Sequence, residues 1–199
     1  TLAKHFVMPV LNEFLTLYPD ITIHVAEDDR LIDLVREGVD CVLRAGELQD
    51  SSLIAKRLAM MEQVTVVSPK YIERYGKPSD INGLKKHWAV GYSLDALSQP
   101  STLDFVIKKE RLSIKLPTLA TVAGADLYTS AAIAGLGLIQ VPKYRIVDEL
   151  KKNELIMILQ DSPPPKMPVS VLYPQSKHLA SRSRVFIQWL TKQFESHNL

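Results

Sequence analysis

Arg44 is the residue of this sequence whose type and position most directly suggest binding chemistry. It follows residues 39–43, "VDCVL", an apolar run with the composition of a buried strand, and two small residues come after it. A guanidinium binds a carboxylate through two parallel hydrogen bonds, and ligands of parallel α/β sheets lie at the carboxyl ends of strands. An anion site is one interpretation of Arg44. Pairing with a structural acid such as Glu47 or Asp28 explains it equally well.

A second candidate segment lies at residues 118–137, "TLATVAGADLYTSAAIAGLG". Thr121 to Gly124 leads directly into a helical pattern that Asp126 is predicted to cap. The first turn of a helix presents backbone N–H groups without partners inside the helix, and they attract negative charge. The segment is therefore either a ligand-binding loop or an ordinary turn between a strand and a helix.

Motifs for catalysis, metals and cofactors are missing. The histidines never pair at metal-ligand spacing, and a single cysteine cannot complete a zinc set. Gly135 and Gly137 supply half of a dinucleotide fingerprint, but Gln140 stands where its third glycine belongs. No phosphate-binding loop and no nucleophile elbow occurs. The sequence predicts no catalytic residue, no metal site and no cofactor, and hence a protein that is not an enzyme.

Two further features have a chemical and a structural interpretation. Cys41 is either a redox switch or a small apolar residue of a buried strand, and the second is favoured because no other cysteine can resolve a sulfenic acid. Lys108, Lys109, Arg111 and Lys115 resemble a nucleic-acid patch. The acidic residue 110 interrupts them, which favours a solvated hairpin.

Composition indicates an ordinary globular protein. Of the 199 residues, 46% are hydrophobic and 23% charged, and the net charge of +2 gives no basic footprint for nucleic acid. No apolar run approaches the roughly 20 residues of a membrane span, and no signal peptide is recognisable. A cytoplasmic location fits these observations.

Helix and strand patterns alternate along the chain, which predicts an α/β fold. The first third has the order helix, strand, helix, strand, and strands joined in this way are expected to be parallel. The predicted helices cover residues 6–18, 30–37, 69–75, 126–134, 143–150 and 180–194. The predicted strands cover residues 21–25, 39–43, 63–67, 88–92, 104–107, 112–116, 138–141, 155–159 and 169–173.

Residues 29–58, "DRLIDLVREGVDCVLRAGELQDSSLIAKRL", resemble the effector-binding domain of a LysR-type transcriptional regulator. Further matches follow in the same order: "VSPKY" at 67–71, "AAIAGLG" at 131–137 with Pro142, and "LYP" at 172–174. The amphipathic helix at the end of the chain fits as well, so the resemblance covers nearly the whole sequence.

The resemblance implies two Rossmann-like lobes joined by a hinge, in a type 2 periplasmic-binding-protein-like fold. Lobe I would comprise residues 1–65 and 170–199, and lobe II the inserted residues 66–169, with the effector in the cleft between the lobes. Family members also carry an N-terminal winged helix-turn-helix. Its absence from this chain would account for a sequence that opens at Thr1 without methionine.

The resemblance also implies a set of functional residues, which falls into two groups. The effector-binding group is Thr1, Arg44, Gly46, Tyr92, Ser93, Thr121, Val122 and Ala123. The group at a dimer interface is Leu31, Ile32 and Val35. Relatives often carry asparagine or aspartate near Ala123 and Gly124, and its replacement here suggests a different or less polar ligand.

On this basis the expected function is ligand sensing for a DNA-binding transcriptional regulator. A small effector, expected to be a carboxylate, would shift the population of lobe arrangements. The shift would pass through a homodimer, part of a tetramer in the full-length protein, to the absent DNA-binding domains. The alternatives are a solute-binding protein of a transporter with the same fold, which the absent signal peptide disfavours, and an enzyme, which would need a clustered acid/base set.

Overall fold

The chain leaves its first unit at Met61 and returns to it at Met167 in the computed structural model. Unit 1 comprises residues 1–61 and 167–199, and unit 2 comprises residues 62–166. The structure describes residues 2–27, 33–48, 50–93, 101–175 and 180–196.

Six α-helices and ten strands lie within the described residues. The helices are α1 (Leu2–Phe6), α2 (Leu11–Leu17), α3 (Pro69–Tyr75), α4 (Ala125–Ile133), α5 (Val147–Lys151) and α6 (Ser181–Ser196). The strands are β1 (Val42–Ala45), β2 (Leu53–Met61), β3 (Gln63–Val67), β4 (Ala89–Tyr92), β5 (Ser101–Ile107), β6 (Glu110–Leu116), β7 (Thr118–Val122), β8 (Ile139–Pro142), β9 (Ile156–Ile158) and β10 (Met167–Pro174). Short 3₁₀ helices cover Met8–Val10, Asn82–Lys86 and Lys143–Ile146.

The sheet of unit 1 is antiparallel, in the order β1-β10-β2. β1 has its antiparallel partner in β10, and the parallel pairing predicted between residues 21–25 and residues 39–43 was wrong. Residues 21–27 form no strand, although Ile21, Ile23 and Val25 alternate with polar residues. A period-two pattern only indicates which side chains face inward, whereas a strand also needs a neighbouring backbone to pair with.

Aromatic side chains join the first helices of unit 1 to the last one. The Phe14 ring is fully buried and lies 5.1 Å from the ring of Trp189 and 5.3 Å from that of Phe186, both on α6. The single helix predicted over residues 6–18 is divided into α1, a 3₁₀ turn and α2. Pro9 lies in that turn, and its missing N–H interrupts the helical hydrogen bonds.

The sheet of unit 2 has two parts that meet at one bridge. The antiparallel order β8-β3-β9 forms one part, and the parallel pair β4-β7 forms the other. Ala89 and Leu138 bridge them in parallel, with Leu138 N–H donating to Trp88 O at 2.9 Å and Val90 N–H to Leu138 O at 3.0 Å. Neighbouring residues of β3 face opposite layers, since Val66 packs with α4 and Val67 with α3.

A hairpin of β5 and β6 covers part of the α3 side of unit 2, as the sequence predicted for its basic residues. Lys108 and Lys109 turn the chain with φ of 50° and 72°. Gln140 of β8 holds the hairpin, because its side-chain amide accepts from Asp104 N–H at 2.9 Å and donates to Asp104 O at 2.8 Å. The side-chain amide thus makes the two hydrogen bonds to the Asp104 backbone that a residue of a neighbouring strand would otherwise make.

A buried polar group links α3 to the start of β4. The Tyr71 hydroxyl accepts from Trp88 N–H at 2.9 Å and lies 3.0 Å from His87 Nδ1. Tyr71 is fully buried and His87 is 6% exposed. Desolvation lowers the pKa of His87 below its usual 6.5, so the imidazole is held neutral in the folded protein.

The stability of unit 2 should consequently fall on acidification. The unfolded chain takes up the His87 proton at a higher pH than the folded chain, so stability is full above about pH 6.5 and is lost as the pH falls through the lowered pKa. Urea unfolding of a Trp189→Phe background, followed by Trp88 fluorescence between about pH 7.5 and about pH 5, measures this. His87→Gln should flatten the pH dependence. A slope as steep as that of the parent protein would contradict the assignment to His87.

Candidate functional site

The predicted site residues of unit 2 lie together at the shared carboxyl end of β4 and β7. Gly91 pairs with Thr121, and Tyr92 with Val122, in parallel register. Beyond the strands, Ser93 N–H donates to Val122 O at 3.1 Å. The end of such a parallel pair is where ligands of α/β proteins bind. The structure therefore brings together residues that the sequence singled out from two separate segments.

Gly91 is the residue that allows this close approach. A Cβ at Gly91 would collide with the Thr121 hydroxyl oxygen and would lie 3.1 Å from Thr121 Cβ. Only glycine lets the two strands meet with the Thr121 side chain turned toward β4. Gly91 was not predicted as a site residue, because nothing in the local pattern indicates which strand passes beside it.

Tyr128 of α4 closes one side of this group and was also missed. Its ring meets the exposed ring of Tyr92 edge to face, with centroids 5.3 Å apart. Burial raises the pKa of Tyr128 to about 12, although a hydrogen bond to the backbone of Gln140 opposes the shift. The phenol therefore stays protonated at neutral pH. The available signal was a lone aromatic residue in the small-residue helix that follows Gly124.

The N-terminus of α4 follows directly, and its cap differs from the prediction. Gly124 is the N-cap residue, with φ of 98°, and it offers no side-chain acceptor. Asp126 lies one residue inside the helix and forms an ion pair with Arg145 at 3.4 Å. The chain turns at Gly124 because its positive φ suits glycine. The first-turn N–H groups of α4 consequently have no N-cap side chain, and the exposed Ala123 lies next to them.

Arg44 lies inside β1 of unit 1, opposite Ser170 of β10, and is half-buried. The prediction that it follows a strand was wrong by two residues, since β1 runs from Val42 to Ala45. Because β1 is antiparallel to β10, the rule for the ends of parallel strands does not apply to Arg44. Gly46 ends the strand with φ of 101°, and its N–H donates to Pro168 O at 2.9 Å.

Cys41 lies just before β1 in a setting that disfavours redox chemistry. Burial, aided by the negative charge of Asp40, raises the pKa of the Cys41 thiol to about 11. The reactive thiolate is therefore scarce at neutral pH. Asp40 accepts a hydrogen bond from Ser183 Oγ at 2.7 Å, which fastens this segment to α6. This environment favours the interpretation of Cys41 as a small apolar residue.

Three other predicted residues, Thr1, Leu31 and Ile32, lie outside the described residues. The Val35 side chain is 71% exposed in a turn, beside Leu34, which is 2% exposed. The predicted interface role of Val35 stays a prediction. Thus Val35, Arg44 and Gly46 belong to unit 1, and the predicted effector-binding residues from Tyr92 to Ala123 belong to unit 2.

The described part of the chain has no group of three histidine, cysteine, aspartate or glutamate side chains arranged to hold a metal ion. Within the same residues, none of the helices combines the length and apolar character that crossing a membrane requires.

Comparison with known proteins identifies the family. The model of the LysR substrate binding domain matches residues 1–195. An uncharacterized HTH-type transcriptional regulator of Escherichia coli (strain K12), YhjC, is 32% identical over 189 residues, which are 95% of this chain and 63% of that protein. An HTH-type transcriptional repressor of Pseudomonas aeruginosa (strain UCBPP-PA14) is 27% identical over 194 residues, 98% of this chain and 61% of that protein. This chain thus spans less than two thirds of either relative.

Among solved structures, the regulatory domain of CrgA, a LysR-type transcriptional regulator from Neisseria meningitidis, matches with a TM-score of 0.79. The match covers 97% of this chain and 94% of that domain at 24% identity. It confirms the predicted periplasmic-binding-protein-like α/β fold. The family and the relatives are transcriptional regulators and not enzymes, which confirms the prediction made from the sequence. This chain belongs to the LysR substrate binding domain family, the effector-binding domains of LysR-type transcriptional regulators.

Proposed function

We propose that this domain senses a small carboxylate for a LysR-type DNA-binding transcriptional regulator. One observation carries the proposal beyond the family. Tyr92, Ser93 and Thr121 meet at the carboxyl end of a parallel strand pair, directly before the N-terminus of α4. Backbone N–H groups at a helix N-terminus favour a negatively charged ligand.

Each residue has a chemical role in this proposal. The Arg44 guanidinium binds the carboxylate through two hydrogen bonds. The Thr121 hydroxyl and the backbone of Val122 and Ala123 bind its polar atoms, and the exposed ring of Tyr92 contacts its apolar part. Ser93, Gly46 and Thr1 complete the set that the family resemblance implies.

Signal transmission is the second part of the proposal. The effector shifts the equilibrium between lobe arrangements in proportion to its differential affinity for them. A homodimer through Leu31, Ile32 and Val35, assembled into tetramers in the full-length protein, passes the change to N-terminal winged helix-turn-helix domains that bind DNA in the cytoplasm. The relatives' names as HTH-type regulators and their greater length support this.

Thermal unfolding against a panel of small carboxylates and neutral metabolites tests the proposal. An effector present at a hundred times its dissociation constant should add about 2.7 kcal/mol of stability, which raises the midpoint. Arg44→Ala should abolish the shift, because no bidentate partner remains. Thr121→Val, which keeps the shape but removes the hydroxyl, should reduce it. Lys108→Ala, at the exposed turn of the β5–β6 hairpin, is the control that should keep the full shift.

Two results would contradict the proposal. If no carboxylate raises the midpoint and Arg44→Ala only lowers the stability of the unliganded protein, Arg44 has a structural role. If a neutral compound shifts the midpoint equally in wild type and in Arg44→Ala, the ligand is not held as an anion.

A further inference from the structure

A groove lies beside the last strand of the antiparallel sheet in unit 2. Its volume is about 590 Å³, and two segments line it: residues 77–79, which follow α3, and residues 157–161, which begin in β9. In the order β8-β3-β9, one edge of β9 has no partner strand within the described residues. Small-molecule sites commonly have volumes of roughly 300–1,000 Å³. The groove is therefore large enough to hold a metabolite.

The free edge of β9 presents the backbone of Met157. Where β8 meets β3, Lys143 N–H donates to Glu62 O at 3.0 Å. Hydrogen-bonded pairs of an antiparallel ladder recur at every second residue, so the odd-numbered residues of β3 turn their N–H and C=O groups toward β9. Met157 lies opposite the even-numbered Val66. Its own N–H and C=O therefore point away from β3, where no residue that the structure describes bonds to them.

The groove has an apolar floor. Pro78 is buried and Ile158 is 3% exposed. The Met157 side chain packs in the layer of α4, whereas Ile158 and Leu159 pack in the layer of α3. Because residues 77–79 directly follow α3, the groove lies on the α3 side, and Met157 borders it with its backbone.

Two charges of opposite sign line the same groove. Lys77 and Asp161 are both exposed, and neither has an ion pair or a side-chain hydrogen bond within the residues that the structure describes. Leu159 turns the chain before Asp161 with φ of 54°, and Ser162 N–H donates to Leu159 O at 3.0 Å. A left-handed conformation is unusual for so large a side chain, and such strain clusters at ligand sites.

We propose that this groove is a binding site for a free α-amino acid with an apolar side chain. The α-ammonium donates to Met157 O and pairs with Asp161, while the α-carboxylate accepts from Met157 N–H and pairs with Lys77. One more strand would bond the same two backbone groups, but its uncharged peptide units would leave both charges without a partner. Hydrogen bonds to ionised groups are the stronger kind. The side chain of the amino acid lies on Pro78 and Ile158.

Titration of the 199-residue chain with leucine, followed through its backbone amide signals by heteronuclear NMR, tests this proposal. The Met157 amide should shift and saturate, with a dissociation constant of about 1 mM, as expected for a small ligand in an open groove. Isocaproate lacks the ammonium group of leucine, and isoamylamine lacks its carboxylate. Each should bind at least about fivefold more weakly than leucine, because one charge-assisted pair is lost.

Two variants test the charged residues separately. Lys77→Gln and Asp161→Asn should each weaken leucine about fivefold, since each removes one charge and keeps a polar side chain of similar size. Lys85→Gln and Glu154→Gln are the matched controls, because both residues are exposed in unit 2 and neither lines the groove. Their affinities should stay within about twofold of wild type. Unchanged amide signals away from each substitution establish that the variants are folded.

Four results would overturn the proposal. The first is a Met157 amide that does not respond to leucine, including the case in which only Thr121 and Val122 shift and leucine binds at β4 and β7 instead. The second is an affinity for isocaproate or isoamylamine equal to that for leucine. The third is a loss of affinity in only one of the two charge variants, or in neither. The fourth is equally tight binding of N-acetyl-leucine methylamide, which would make the edge of β9 a docking place for extended peptides.

Discussion

Phe14→Ala should lower the stability of unit 1 by about 4 kcal/mol, the usual cost of removing a fully buried phenylalanine ring. The ring is 0% exposed, and it lies 4.9 Å from Tyr18, 5.3 Å from Phe186 and 5.1 Å from Trp189. Its loss leaves a cavity where α2 meets α6. Because the backbones of α2 and α6 stay in place, the surrounding rings can only partly fill that space.

Trp189 makes this change measurable within its own unit. The chain has two tryptophans, with Trp88 in unit 2 and Trp189 in unit 1. Urea unfolding of a Trp88→Phe background therefore reports on unit 1 through Trp189. Leu17→Ala is the matched control, since Leu17 is on the same helix but is 67% exposed. It should stay within about 0.5 kcal/mol of the parent. Equal losses of stability in the two variants would show that the contacts of the Phe14 ring with Phe186 and Trp189 do not hold α2 on α6.

Gly137→Ala should destabilise unit 2 by about 3 kcal/mol, at the upper end of the usual cost of overpacking. A Cβ at Gly137 would lie 2.7 Å from Ala89 C, 2.8 Å from Val90 N and 2.9 Å from Trp88 O. All three are backbone atoms, so no side chain can rotate away. The strands must separate at the bridge, which breaks the hydrogen bonds of Leu138 N–H to Trp88 O and of Val90 N–H to Leu138 O.

The corresponding measurement uses Trp88 fluorescence in a Trp189→Phe background. Gly83→Ala is the control glycine, because the nearest atom to its added Cβ is Asp80 Oδ1 at 3.8 Å. That variant should unfold at nearly the parent urea concentration. A Gly137→Ala protein as stable as Gly83→Ala would mean that β4 and β8 can move apart without cost. The site residues on β4 would then be less firmly placed than their pairing suggests.

Elements whose signals are local could be predicted from the residues alone. Ser68 accepts from Tyr71 N–H and Pro69 occupies the first turn of α3, as the residues 68–75 predicted. The strands near residues 63–67 and 169–173 and the basic hairpin were also predicted, because alternation and turn residues act over a few positions. The motifs and their order along the chain were sufficient to predict the family, which the match over residues 1–195 confirms.

The pairing of the strands, and the residues that each pairing brings together, depend on the tertiary fold. β2 was not predicted, since Lys56 and Arg57 break its alternation, and it forms because β10 supplies the partner backbone. Arg44 was expected at a parallel strand end, but its antiparallel pairing sets it on a sheet face opposite Ser170. Tyr92 and Thr121 meet because β4 and β7 pair in parallel register, which depends on contacts between distant segments. Local spacing thus selects the residues that carry chemistry, and long-range pairing decides which of them act together.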